Sequence, residues 1–203
     1  MGNILIVNTG PTEYERMGQY PVLDESGLDA PIGVWAQAAA GRLAEYRLAA
    51  VYFLPFPEAV ETAGVIAANN KLEAKALPGF EESGQFEWKG LSPEESVALD
   101  CSLDEGRMDA SCIRFPFNLD LGRLRSKVAA ALDEIIARHK KEYVAIVSHR
   151  AVSVVMVLHL LNMDNSHYNQ IAQENGAVNL FEVRMGLPSA LYINDVCHLE
   201  GIL

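Results

Sequence analysis

Two short apolar runs, Ile4-Leu5-Ile6-Val7 and Tyr143-Val144-Ala145-Ile146-Val147, each stop at a small polar tripeptide, Asn8-Thr9-Gly10 and Ser148-His149-Arg150. Runs of this length, rich in branched residues and without polar alternation, read as strands buried on both faces, as central strands of parallel sheets are. A sheet covered on both faces needs helices above and below it. The expected class is therefore α/β, a three-layer sandwich with a mainly parallel central sheet and an antiparallel edge strand. In such sheets ligands bind outside the carboxyl ends of the strands, where the departing loops splay apart. Asn8 and Thr9 on one loop, with His149 and Arg150 on the other, are candidate site residues. They meet only if the two strands are neighbours.

The intervening chain supplies the covering layers. Arg16 to Pro31 is rich in Gly, Pro, Asp and Ser and reads as a loop. An Ala-rich segment from about Ile32 to Tyr46 places Trp35, Ala39 and Leu43 on one helical face. Ala49 to Leu54 reads as a second strand. Pro57 then suits a first helical turn, where its missing N–H costs nothing, and opens a helix to about Asn69. Ala74 to Leu77 is a short third strand, Pro78 to Leu91 an acidic loop, and Ser92-Pro93-Glu94-Glu95 a helix start.

Cys101 to Phe117 fits either an insertion over the crevice or a surface connection. Leu121, Leu124, Val128, Leu132 and Ile135 predict a long amphipathic helix ending in a basic cluster, with His139 as a solvated or dipole-compensating residue. Ala151 to Leu161 is apolar nearly all round, which makes His159 a core histidine. Asn175 to Val183 and Ala190 to Ile193 read as a closing hairpin across Gly186 and Pro188.

With 203 residues, half of them hydrophobic, one domain spanning 1–203 is the expectation, with about 78–117 as a region that could cover the crevice. A net charge of −11 argues against nucleic acid and anionic membrane surfaces as partners, since both need clustered Lys and Arg. No stretch approaches the roughly 20 apolar residues of a bilayer span, and no signal peptide is visible, so a cytoplasmic protein is expected. Cys101, Cys112 and Cys197 fit neither a zinc spacing nor a redox pair and read as buried or half-buried free thiols. No metal or cofactor is called for. The expected partner is a small molecule or another protein, and homo-oligomerisation is left open.

Several segments in order resemble the histidine phosphatase (phosphoglycerate mutase-like) superfamily. Its first motif is arginine-histidine-glycine, one variable residue, then threonine-glutamate-aromatic-asparagine. Gly10, Thr12, Glu13 and Tyr14 fit it, while Asn8 stands at the phosphate-binding arginine, Thr9 at the phosphorylated histidine and Glu15 at the asparagine. Ala59, Thr62 and Ala63 fit a second segment, with Glu58 at its arginine. Glu82, followed by Glu87-Trp88-Lys89-Gly90, is similar to the general-acid region. His149 corresponds to the second histidine, with Arg150 where glycine is usual. Asn175-Gly176 and Asn194-Asp195 through His198-Leu199 are similar to the closing hairpin.

The resemblance implies a phosphoglycerate mutase-like fold, but the substitutions fall on the chemistry. The family reaction uses a neutral imidazole as nucleophile, cations on the phosphoryl oxygens and an acid for the leaving group. Thr9 lacks the imidazole, and Asn8 offers one neutral hydrogen bond in place of a charged fork. If Asn8, Glu15 and Glu58 all face the crevice, the change is about four charge units, each repulsion worth roughly 3 kcal/mol at about 6 Å and an effective dielectric of about 20. On this count no catalytic set is intact, only the remnants Glu82 and His149, and the crevice prefers neutral or cationic ligands. The leading expectation is therefore a pseudoenzyme, catalytically inactive or strongly impaired, that serves as a binding or interaction module. The alternative is a phosphatase or related hydrolase of small metabolites with an altered site using Glu82 and His149; the charge count itself fails if Arg150 and Arg16 supply substitute cations, or if Glu58 turns away and pairs with a lysine.

Overall fold

The computed structural model describes residues 1–11, 32–80 and 121–202. The expectations for Arg16 to Pro31, for the helix start at Ser92 and for 101–117 lie outside the described residues.

The first apolar run forms β1 (Gly2–Asn8), buried at every position, and the second forms β4 (Tyr143–Ser148). They are neighbours, paired in parallel with Asn3 opposite Tyr143 and Asn8 opposite Ser148. Between them in sequence come α1 (Ile32–Leu43), β2 (Leu48–Phe53), α2 (Pro57–Asn69), β3 (Ala74–Ala76) and α3 (Leu121–Arg138). After β4 follow α4 (Arg150–Leu160), β5 (Val178–Arg184) and β6 (Leu187–Asp195). The strand order is β3-β2-β4-β1-β5-β6.

β1, β2, β3 and β4 run parallel, and β5 is antiparallel to both β1 and β6. The fold is α/β with a mixed, mainly parallel sheet. Both antiparallel pairings are made by β5, to β1 and, within the closing hairpin, to β6; the hairpin's tight turn has positive φ at Met185 and Gly186, the geometry that matches the twist of the flanking strands.

Packing explains why these elements form. α1 packs against α2, and α3 against α4. β1 is buried on both faces, so neither face is open to water there. Ala36, Ala39, Ala40 and Leu43 are the buried face of α1, and Leu124, Val128, Ala131, Leu132 and Ile135 that of α3. α4 is buried throughout from Val152 to Leu158, as its apolar sequence requires. α1 ends three residues before the expected Tyr46, because backbone turns at Ala44 and Tyr46 redirect the chain into β2.

Two histidines differ from expectation. His139 is not solvated: its ring nitrogens reach the Tyr52 hydroxyl at 3.1 Å and the Glu142 carboxylate at 2.7 Å. His159 is not a core residue: it is partly exposed and lies 3.3 Å from Asp133 on α3. Cys197 is exposed, not buried. Among the described residues no helix is long and apolar enough to cross a membrane.

Candidate active site

The strand order places the carboxyl ends of β1, β4 and β2 side by side, and the candidate residues leave from those ends. The Thr9 N–H donates to the Ser148 carbonyl at 3.1 Å, joining the loop after β1 to the residue before His149. On the other flank the Leu54 N–H donates to the Val147 carbonyl at 3.0 Å. Leu54 and Pro55 then lead to Phe56, the residue before α2, and to Glu58 in its first turn. His149 thus stands between Thr9 and Glu58. Glu15 and Glu82 lie outside the described residues.

Gly10 has a packing reason independent of any ligand. A Cβ there would lie 2.5 Å from Cγ of Trp35, and one on Gly176 would lie 2.6 Å from Cε3 of the same indole. Trp35 therefore lies across two glycines, which are tied together by the Gly176 N–H donating to the Thr9 carbonyl at 2.9 Å. This anchors α1 to the loop after β1.

Asn8 does not offer its amide to the crevice. Its Nδ2 donates to Oε1 of Gln173 at 3.0 Å and to the Glu174 carbonyl at 2.8 Å. A carbonyl can only accept, which fixes the amide orientation. Gln173 and Asn179 exchange two amide hydrogen bonds, and Asn179 also donates to the Ile6 carbonyl and accepts from the Asn194 N–H. Asn8, Gln173 and Asn179 are all buried, so this ladder satisfies most of its own polar groups, as buried networks must. Oδ1 of Asn8 alone among the three has no partner within the described residues. Both protons that Asn8 could give an anion are committed to the scaffold. The sequence reading missed Gln173 and Asn179, although a polar residue inside the apolar run Val178-Asn179-Leu180-Phe181 was a visible signal.

His149 immediately precedes α4 and makes no side-chain cap to it. Its ring stands edge-on to Phe56 with centroids 4.6 Å apart. Nε2 lies 4.0 Å from Oε2 of Glu58, and both side chains are only about 15% exposed. Burial pushes the imidazole down from 6.5 to about 4. The nearby carboxylate pulls the other way, and burial dominates, so the ring is neutral near pH 7.

Two helix starts frame this pair. Phe56 makes no side-chain cap to α2, and His149 makes none to α4. The first N–H groups of a helix have no intrahelical acceptor and carry partial positive charge, so together the two ends favour an anion. Arg150, exposed at the first position of α4, stands where the dipole disfavours a cation. A separate cavity of about 640 Å³, lined by Gly2, Asn3, Asp133, His139, His159 and Gly186 among others, lies at the opposite end of the sheet and contains none of these groups.

The sequence profile of the histidine phosphatase superfamily (branch 1) matches residues 7–196. The chain belongs to the histidine phosphatase superfamily. Phosphoserine phosphatase 1 of Hydrogenobacter thermophilus is 24% identical over 201 residues, covering 98% of this chain and 95% of that protein. Among solved structures, YhfR of Bacillus stearothermophilus superposes with a TM-score of 0.82 at 19% identity, covering 98% of this chain and all of that one. The phosphoserine phosphatase of Entamoeba histolytica, in complex with 3-phosphoglyceric acid, superposes with a TM-score of 0.77 at 22% identity, with coverage of 98% and 100%.

These findings correct the leading expectation. A pseudoenzyme acting only as a binding or interaction module does not stand for a superfamily member whose full-length curated relative is a phosphatase. The charge count behind that expectation held only if Asn8, Glu15 and Glu58 all faced the crevice. Asn8 faces Gln173, and Glu58 lies in the first turn of α2 beside His149, where the helix dipole offsets its charge. The partial positive charge of the two helix starts was left out altogether.

Proposed function

We propose that this protein is a phosphatase of small phosphorylated metabolites, working in the cytoplasm through an altered superfamily site. The observation that carries the reading is the neutral, largely buried His149 beside the starts of α2 and α4, neither of which is capped by the side chain of its own preceding residue, in a chain related along its length to a phosphoserine phosphatase. The helix N–H groups and Arg150 bind the phosphoryl oxygens. His149 handles the proton of the attacking group, and Glu82, at the general-acid position of the resemblance, protonates the leaving oxygen. The site is altered because residues 8, 9 and 58 are Asn, Thr and Glu, so neither an imidazole at position 9 nor the two motif arginines take part.

The test is release of inorganic phosphate from a panel of small phosphomonoesters with phosphoserine first. Turnover above the blank is expected for at least one, with a loss of about 100-fold or more on His149→Ala, the size of a general acid–base contribution. No turnover across the panel, or an unaffected His149→Ala protein, overturns the reading.

A further inference from the structure

We propose that the cavity at the amino ends of the parallel strands is a second ligand site, which takes a small aliphatic monocarboxylate with its chain over the sheet and its carboxylate at Lys140. None of its lining residues belongs to the candidate active site, so the proposal does not depend on the phosphatase reading.

The sheet supplies the floor. Gly2 pairs with Val183 and Ile4 with Val144, and residues directly opposite one another on paired strands share a face. Gly2 and Ile4, two positions apart, share that face as well. These four residues therefore make one apolar surface beneath the carboxyl ends of α3 and α4. Asn3 between them points to the opposite face, so its amide is not part of this floor. The His139 carbonyl comes so close to Gly2 that a Cβ there would lie 2.7 Å from it, and this floor position carries no side chain at all.

Ile136 of α3 and Leu160 of α4 add to the walls, and the space enclosed is about 640 Å³. Sites for small organic molecules are of this size and are lined mainly by apolar groups. Such walls gain from burying a hydrocarbon chain, at a rate set by the apolar area removed from water. A phosphorylated metabolite would find no such gain here.

Charge selects the head group. The acids along this end of α3 are answered: Asp133 lies 3.3 Å from Nε2 of His159, Glu142 lies 2.7 Å from Nδ1 of His139, and Glu134 pairs with Arg138. Lys140 lines the cavity, is exposed, and its ammonium has no hydrogen bond or ion pair among the described residues. Its flexible four-carbon stem lets the ammonium meet a carboxylate at the opening while both remain in contact with water.

The rival head group is an amine, because the carboxyl end of a helix carries about half a negative charge. At α4 that charge is already met, since the N–H groups of Leu161, Asn162 and Met163 donate to the carbonyls of Val157, His159 and Leu158. The net charge of −11 opposes anions at long range, but physiological salt screens exposed charges beyond about 8 Å. The unpaired full charge at the cavity is that of Lys140.

The test is calorimetric titration of the full chain with hexanoate, octanoate and decanoate below their micelle concentrations, with octylamine and octanol as head-group controls. One saturable site is expected for octanoate, with affinity rising roughly fourfold for each added methylene. Octylamine and octanol should bind more weakly by about tenfold, the size of one hydrogen bond to a charged group. Lys140→Met should weaken octanoate by the same factor, and Lys141→Met, whose side chain is exposed and does not line the cavity, should leave it unchanged. Ala137→Phe, at an exposed position on the cavity wall, should abolish the site.

Octylamine or octanol binding as tightly as octanoate overturns the proposal, because Lys140 then has no part in recognition. Octanoate that fails to saturate at one equivalent, or that binds an Ala137→Phe protein melting like wild type, is coating the surface and overturns it equally. So does an absence of both heat and any shift in thermal midpoint with all three acids. If Ala137→Phe melts early, the comparison of Lys140→Met with Lys141→Met decides by itself: equal affinities overturn the assignment, and a loss confined to Lys140→Met supports it.

Discussion

At the scale of single residues, His149 couples the site to stability. Its pKa is about 4 in the folded protein against 6.5 when solvated, through burial. Between those values the unfolded chain binds a proton that the folded one does not, so stability falls as pH drops through that window. Its contribution is fully present above 6.5 and lost towards 4, amounting to roughly 3 kcal/mol. Calorimetric midpoints measured from neutral pH down to about pH 4 should fall with a slope that His149→Gln flattens; parallel curves for the two proteins would refute this. Asp195 falls outside this window. Burial raises its pKa, but hydrogen bonds from Cys197 and the Arg42 cation prevail and hold it below 3.8. At the same scale, the sequence marked His149 because a polar tripeptide ends a buried run. The direction of the Asn8 amide was not legible, because it is set by Gln173 and the Glu174 carbonyl, more than 160 positions away.

At the scale of elements, periodicity located the strands and helices and turn chemistry located their ends. The start of α2 at Pro57 and the extent of α3 follow from residues within a few positions of each other. The docking of α1 does not, since it depends on Trp35 lying across Gly10 and Gly176. Gly10→Ala should destabilise the protein by about 2 kcal/mol, the usual cost of overpacking, because the new methyl meets the root of the indole and not a flexible tip. In a Trp35→Ala background the same substitution should cost little, a coupling that a double-mutant cycle in urea measures directly. Equal costs in both backgrounds would show that the indole is not what the glycine accommodates. The solvated reading of His139 and the core reading of His159 failed for a similar reason. Their partners Tyr52 and Asp133 sit on other elements, and a helix pattern says nothing about what a neighbouring element presents.

At the scale of the whole molecule, the sheet runs from β3 to β6 without a break, and α1 to α4 pack on it or on one another. The chain should therefore unfold as one cooperative unit, with fluorescence of its two tryptophans and far-ultraviolet circular dichroism giving coincident urea transitions. Two separated transitions would mean that part of the chain folds independently.

The sequence by itself determined the class of fold and pointed to the loops after β1 and β4, because apolar runs and the polar residues that end them are local properties. It also determined that residues 8, 9 and 58 are not Arg, His and Arg. Only the tertiary structure decided which of these side chains come together. β4 inserts between β1 and β2, which brings His149 between Thr9 and Glu58 and sets two helix starts around them. Charges counted along a chain add as if all were equally near and equally solvated, whereas in the fold their effect depends on distance, burial and the dipoles beside them.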